Sequence, residues 1–243
     1  MTIPFKNFKT DLYVLAGSFL YGTANEKSDM DYRGFILEPP ECIVGRKVFK
    51  AKINQEDDVE WQVWGFQQFF HLCEKFNANV VEILFAPTSH VLEQTRVGLL
   101  MRMNRQLFIH KGSIAPILGF ALSEYRKATS PNEEEFGGHR KEELEKFRFC
   151  TKNGSHAIRL LLQASQLILT RDLIFPLKEA DLLLDIKNGN VSREDFIKLW
   201  ENMLLTIKNQ ETANPLPEPP TDLLDRLYFD CISERVKIVN TLN

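Results

Sequence analysis

At 243 residues and 28.2 kDa, with 44% hydrophobic and 26% charged residues, the chain has ordinary globular composition, which excludes disordered, collagenous and membrane-spanning classes. A formal net charge of −3 excludes a polybasic protein held to nucleic acid mainly by phosphate neutralisation, although residues 99–175 are mildly basic between two acidic ends. Cys42, Cys73, Cys150 and Cys231 form no C-x-x-C pair and have no histidine at zinc-finger spacing, so no disulfide framework and no zinc are expected, and the compartment is expected to be reducing and cytoplasmic.

The opening stretch, MTIPFKNFKTDLYVLAGSF, has too short an apolar run to span a membrane and no signal-cleavage pattern, so no membrane partner is expected. Residues 13–16 are a compact apolar run ending at Gly17-Ser18, which predicts a buried strand, a tight turn and a short helix. In 29–37, DMDYRGFIL, polar and apolar residues alternate at first, as in a half-buried strand. Residues 39–55, with Pro39-Pro40 and Gly45, predict loop and edge strand. A strand follows at 59–63, and then Trp64, Phe66, Phe69, Phe70, Leu72 and Cys73 recur at helical spacing. Residues 77–87 predict a turn and a short apolar element stopped by Pro87.

Beyond about residue 90, the stretches 99–107, 114–125, 142–169, 180–186, 192–207 and 223–239 carry helical amphipathic patterns, with Ser192 and Asp195 as an N-cap pair. Four prolines between 209 and 221 make that stretch an extended connector. The expected class is α+β: a small mixed sheet with flanking helices in a domain at 1–105, followed by an all-helical C-terminal domain at 106–243.

The chemistry-bearing residues concentrate in GSFLYGTANEKSDMDYRG, 17–34. Gly17 permits a tight turn after a buried strand, and Ser18 then sits at a helix start, where N–H groups and a hydroxyl can face a phosphate. Asp29 and Asp31, two apart on a strand, project from one face roughly 7 Å apart at the backbone. Two hard carboxylates so placed can bridge a pair of Mg²⁺ ions, which lie ~3.5–4 Å apart in two-metal sites. A third acid is available from the next strand, as Glu60 or alternatively Asp58. A Gly-Ser turn or a D-x-D pair alone is common in solvated loops; the order of strand, Gly-Ser, D-x-D strand and further acidic strand is what carries the reading. Farther on, Lys152, His156 and Arg159 are spaced i, i+4, i+7, which puts three donors on one helical face opposite Ala157, Leu160, Leu161 and Ala164.

Gly17-Ser18 followed by Asp29-Met30-Asp31 resembles the signature of the DNA polymerase beta-like nucleotidyltransferase superfamily. More closely, Gly17, Ser18, Tyr21, Gly22, Thr23, Ala24, Ser28, Asp29, Asp31, Arg33 and Gly34 resemble the nucleotidyltransferases associated with RNA ligases in bacterial and phage RNA repair. Glu60 falls at the position of that family's third acid, usually Asp. Residues 77–87 resemble its Asn-Pro-x-x-x-Glu-x-Leu-Phe stretch, keeping Asn77 and Glu82 with Ala78 in place of Pro. CTKNGSHAIRLL resembles its Asp-x-Lys-x-x-x-His-x-x-Arg helix, with Cys150 where an Asp is usual. The likeness runs from about residue 12 to about residue 195.

The resemblance implies a nucleotidyltransferase-type sheet and transfer of NMP from an NTP, ATP first, to an acceptor hydroxyl. It implies two Mg²⁺ or Mn²⁺ ions on Asp29, Asp31 and Glu60, with Asp58 as the alternative third ligand. Gly17, Ser18, Tyr21, Ser28, Arg33, Lys152, His156 and Arg159 are the implied nucleotide-binding set. An RNA 3′ end is the implied acceptor and an RNA ligase the implied partner, in a bacterial or phage-infected cytoplasm. The alternatives are AMP transfer to a protein or small-molecule hydroxyl, which the weak basicity favours, and a non-catalytic nucleotide- or RNA-binding partner of a repair ligase.

Overall fold

The computed structural model describes residues 9–26, 28–39, 42, 52–56, 59–130 and 144–241. Within these the chain forms two compact units, one made of 1–108 with 219–243 and the other of 109–218. The helical part expected over 106–243 therefore divides: its last helix belongs with the sheet.

In the first unit, strands β1 (Leu12–Leu15), β2 (Met30–Ile36), β3 (Lys52–Glu56), β4 (Val59–Gly65) and β5 (Val91–Gln94) form one sheet in the order β3-β4-β2-β1-β5. β2 and β4 are parallel and the other pairings antiparallel, so the sheet is mixed as expected. β3 is an edge strand, in keeping with the Pro-bearing stretch before it, most of which lies outside the described residues. The other edge, β5, was not expected. Only four residues long, with alternating half-buried and exposed positions, it has too little pattern to stand out from the helical sequence around it.

Strand periodicity sorts the two sheet faces. One carries Tyr13, Tyr32 and Val63, buried, with Leu15, Met30, Ile36, Val59 and Trp61 packed around them; the Tyr13 and Tyr32 rings stack at 5.5 Å. The other carries Asp31, Arg33 and Phe35 along β2, beside Glu60, Gln62 and Trp64 along β4. Its far end is covered by aromatic packing. Phe35 stacks on Phe69 at 4.4 Å and meets Phe66 at 5.8 Å, both from α2 (Phe66–Glu74). Phe66 in turn stacks on Tyr228 of α9 (Thr221–Thr241). The aromatic residues 64–70 are thus core, as their spacing predicts.

Residues 77–87 contain α3 (Ala78–Phe85), buried along nearly its whole length, in keeping with the apolar run. α4 (Arg96–Met103) follows β5, and Arg96 pairs with Glu234 of α9 at 3.1 Å.

The second unit packs α5 (Ile114–Thr129), α6 (Thr151–Thr170), α7 (Ala180–Lys187) and α8 (Arg193–Ala213), with α6 central. Gly154 of α6 lets Phe149 and Phe196 approach, and Tyr125 stacks on Trp200 at 4.4 Å. The helix expected over 142–169 is interrupted, because Arg148 takes a left-handed φ of 62° and α6 starts only at Thr151. Ser192 caps α8 as predicted, accepting from Asp195 N at 3.1 Å. α8 continues to Ala213, so the extended connector shrinks to 214–220, where the prolines begin. No described helix is long and apolar enough to cross a membrane.

Gly34 shows how tightly β1 and β2 meet. A Cβ there would lie 2.2 Å from the Leu12 carbonyl oxygen and 3.0 Å from the Tyr13 ring, and backbone cannot step aside as a side chain can. Gly34→Ala is expected to cost roughly 1–3 kcal/mol in urea unfolding; an unchanged midpoint would contradict this packing.

Candidate active site

β1 ends at Leu15, and Ala16 N donates to the Asp31 backbone oxygen at 2.7 Å, which holds the turn against β2. Gly17 then opens the short helix α1 (Gly17–Tyr21) with φ +59°. A Cβ on Gly17 would stand 1.8 Å from Asp31 Oδ2: the carboxylate occupies the space that any other residue's side chain would need. The glycine of the Gly-Ser motif is therefore required twice, by its φ and by the acid resting on it. Ser18, half-buried, follows in the first turn of α1.

Asp31 and Glu60 are register partners on the parallel pair β2–β4, so their Cα atoms are about 4.8 Å apart and their side chains share a face. Asp29 lies just before β2 and is exposed, as is Glu60, while Asp31 is half-buried. Asp58 lies outside the described residues. Among the described residues no three His, Cys, Asp or Glu side chains gather into a complete metal cage.

The neighbouring residues form a second polar layer. Glu82 of α3 is fully buried, and its Oε1 accepts from Tyr21 Oη at 2.6 Å and from Arg33 Nη1 at 3.1 Å. Arg33 Nη1 also donates to the Asn79 carbonyl at 3.3 Å. Burial pulls the Arg33 pKa down, but Tyr21, Glu82, Asp31 and Glu60 together outweigh it and raise it, so the guanidinium is firmly cationic. Ser28 closes its own loop: its hydroxyl accepts from Asn25 N at 2.8 Å and donates to Asn25 Oδ1 at 3.3 Å. His90 Nε2 lies 3.4 Å from the Phe19 carbonyl oxygen, against the last turn of α1.

In the second unit the expected Lys152, His156 and Arg159 stripe is graded in burial, because α6 is wrapped by α5, α7 and α8. Lys152 is exposed, the His156 side chain is 44% exposed, and Arg159 is buried with Nη1 donating to Gln163 Oε1 at 3.2 Å. Ala157, Leu160, Leu161 and Ala164 are buried as expected. Burial first, then the charges of Arg159, Lys152 and Lys187, outweigh Glu124 and push the His156 pKa down to about 3, which leaves its ring neutral at neutral pH.

Glu124, buried on α5, binds Lys127 Nζ at 2.6 Å and Asn153 Nδ2 at 2.7 Å, with His156 Nδ1 at 3.8 Å. Burial raises its pKa but these donors and charges more than reverse that, so it stays ionised. Cys150 is the N-cap of α6, and its thiol donates to Asn153 Oδ1 at 2.9 Å. The position where the resembling family has Asp is thus a helix cap, at which a carboxylate would accept the free N–H groups of the first turn.

Glu124 was not singled out from sequence, and Glu82 entered only as a residue kept from the resembling family's Asn-Pro-x-x-x-Glu-x-Leu-Phe stretch, with no role assigned. The available signal was a single acid within an apolar helical run, ANVVEILF and ILGFALSEY, where a charge must be paired once buried.

A Gly-Ser turn seated on an aspartate, beside a second acid on the adjacent parallel strand of a small mixed sheet, defines a nucleotidyltransferase-type arrangement. Residues 6–226 match the family model RlaP, the RNA repair pathway DNA polymerase beta family. The chain belongs to this family, and with it to the DNA polymerase beta-like nucleotidyltransferases of RNA repair. No curated protein matches it by sequence. A solved structure of a nucleotidyltransferase-like protein from Exiguobacterium sibiricum 255-15 is similar over 84% of this chain and 69% of that one, at 11% identity and a TM-score of 0.32.

Gly17→Ala forces a left-handed φ on alanine and displaces the Asp31 carboxylate. The expected cost is about 1–3 kcal/mol in urea unfolding, with a shifted Asp31 carboxyl resonance in ¹³C NMR. An Asp31 resonance identical to wild type would show that the carboxylate does not rest on Gly17.

Proposed function

We propose that the protein transfers a nucleoside monophosphate from an NTP, ATP first, to an acceptor hydroxyl, with an RNA 3′ end as the acceptor and an RNA ligase acting beside it. The observation that carries this reading is the Asp31 carboxylate seated on Gly17 with Glu60 as its register partner. The donor set fits Mg²⁺ or Mn²⁺. Its oxygens are hard, and Mg²⁺ is commonly held by one or two carboxylates plus substrate phosphates rather than by an all-protein cage. Asp29, Asp31 and Glu60 would hold two such ions, whose chemistry is charge neutralisation and a lowered pKa for the attacking hydroxyl.

The chain's own residues do the rest. Gly17 leaves the α1 turn open to the phosphates, and Ser18 offers them its hydroxyl and backbone N–H. Arg33, cationic and held by Glu82, sets one fixed positive charge on the acidic face. Tyr21 and Ser28 shape the loop that frames the turn through Glu82 and Asn25 respectively. Lys152, exposed, would meet an anion; His156, being neutral, would offer a hydrogen bond rather than charge. Arg159 would act from within α6, through the helix that presents Lys152. In-line attack of the acceptor oxygen on the α-phosphorus forms the new phosphodiester and releases pyrophosphate.

A second reading, AMP transfer to a protein or small-molecule hydroxyl, is favoured by the net charge of −3, since a long RNA footprint usually shows as a basic surface.

The test is incubation with Mg²⁺ or Mn²⁺, α-labelled NTPs and RNA, protein and small-alcohol acceptors in separate reactions. Label should pass to RNA 3′ ends, and Asp29→Ala and Asp31→Ala should each lower the rate on the order of 10²–10³-fold. Lys152→Ala should raise KM for NTP with little change in kcat. No transfer to any acceptor, or transfer undiminished in both aspartate variants, would overturn the catalytic reading.

A further inference from the structure

Three helix ends of the second unit meet at the start of α6. Ser155 Oγ of α6 donates to the Leu183 carbonyl oxygen of α7 at 2.9 Å, and Gly189, just past α7, sits against the ring of Phe147, just before α6. Rising residue numbers on α7 thus go with falling ones on α6, so α7 runs antiparallel and its last residue, Lys187, ends beside the α6 start. α5 is antiparallel in the same way, for Asn153 Nδ2 meets Glu124 at 2.7 Å and Cys150 N donates to the Ala128 carbonyl oxygen at 3.0 Å. Lys127, Lys152 and Lys187 therefore come, one from each helix, to the same end of the unit.

The charges there do not balance. Glu124 is buried, and Lys127 Nζ is paired with it at 2.6 Å, which leaves that pair neutral. Among the described residues neither Lys152 nor Lys187 takes part in an ion pair, and the first turn of α6 carries no acid to offset them. Both lysines act on His156: with burial and Arg159 they hold its ring neutral against Glu124. His156 stands one turn along α6 from Lys152, half-exposed, and offers a ring N–H rather than a charge. Two ammonium groups from different helices and one N–H, at the positive end of the α6 dipole, suit an anion whose charge is spread over two centres. A diphosphate has that chemistry.

We propose that Lys152, Lys187 and His156 form a site for a pyrophosphate group, either free or as the end of an NTP, that holds it without a divalent metal. The inference rests on the reading of Lys152 and His156 as phosphate contacts and adds Lys187, which lies outside the stripe on α6.

The test is pyrophosphate binding by the full chain in EDTA, followed by calorimetry or ³¹P NMR. Lys152→Ala and Lys187→Ala should each weaken binding about tenfold, since each removes a charge-assisted hydrogen bond. Lys187→Arg should keep the affinity, and Lys208→Ala, which removes an exposed lysine from α8, should leave it unchanged. ATP without metal displaces the bound pyrophosphate where the site takes the NTP chain and leaves it in place where the site takes the released product; both results support the inference. Pyrophosphate that does not bind in EDTA, or that binds undiminished in Lys187→Ala, overturns it. Equal weakening by Lys208→Ala overturns it as well, as a general attraction of charge, and so does single-stranded RNA that binds where pyrophosphate does not. The transfer reading fails separately, because label transfer is read with Mg²⁺ and the aspartate variants and this binding with neither: pyrophosphate bound without label transfer removes only the catalytic reading, and label transfer without metal-free binding removes only this inference.

Discussion

The contact between the Asp31 carboxylate and the bare Cα of Gly17 is the constraint on which the rest of the candidate site depends. It fixes where β1 must end, because Ala16 N reaches the Asp31 carbonyl only if the turn begins there. It requires the left-handed backbone at Gly17 that sends the chain into α1 and brings Ser18 to the first helical turn. It also sets the depth at which Asp31 sits, half-buried, one strand away from Glu60. Motif residues distant by fourteen positions are thereby one object: the glycine is there because of the aspartate.

Both units manage buried charge in the same way. A carboxyl group inside an apolar helix run is met by donors aimed at it, Tyr21 and Arg33 for Glu82, Lys127 and Asn153 for Glu124. Taking such a group out of water is costly unless nearly every oxygen is met, so each acid dictates the rotamers of the residues around it. In the first unit the residues so fixed are the ones beside the acidic face of the sheet. In the second they are the residues at the start of α6, including Cys150 and Asn153, while burial and the charges of Arg159, Lys152 and Lys187 leave His156 neutral against the opposing pull of Glu124. A histidine read from spacing as one of three donors is thus different in kind from the lysine four residues before it.

Local pattern made most of the elements legible. The apolar run before Gly-Ser, the alternation through DMDYRGF and the aromatic spacing of 66–73 each report a period set by their own backbone, and each appears as the predicted strand or helix, although Trp64, expected on the helix, is still on β4. What was not legible was non-local. β5 is a strand because β1 offers it an edge, not because VLEQ prefers one. The helix expected over 142–169, described from 144 on, breaks at Arg148, and Phe149 and Cys150 beyond the break are buried. The last helix, similar in pattern to those before it, joins the sheet unit through Tyr228 on Phe66 and Phe70, a contact between residues far apart in the chain.

The candidate site divides along the same line. By itself, the sequence determined which residues could carry the chemistry, because Gly17-Ser18 and Asp29-x-Asp31 report backbone freedom, helix start and strand face within a few residues of one another. Only the tertiary structure decided how those residues are held: that Glu60 is the register partner of Asp31, that Ser28 is spent on its own loop, that Tyr21 and Arg33 share one oxygen of Glu82, and that Arg159 is buried while Lys152 is not. The physical reason is that the availability of a polar side chain depends on which donors and acceptors meet it in space, and those partners come from strands and helices whose pairing no local period encodes.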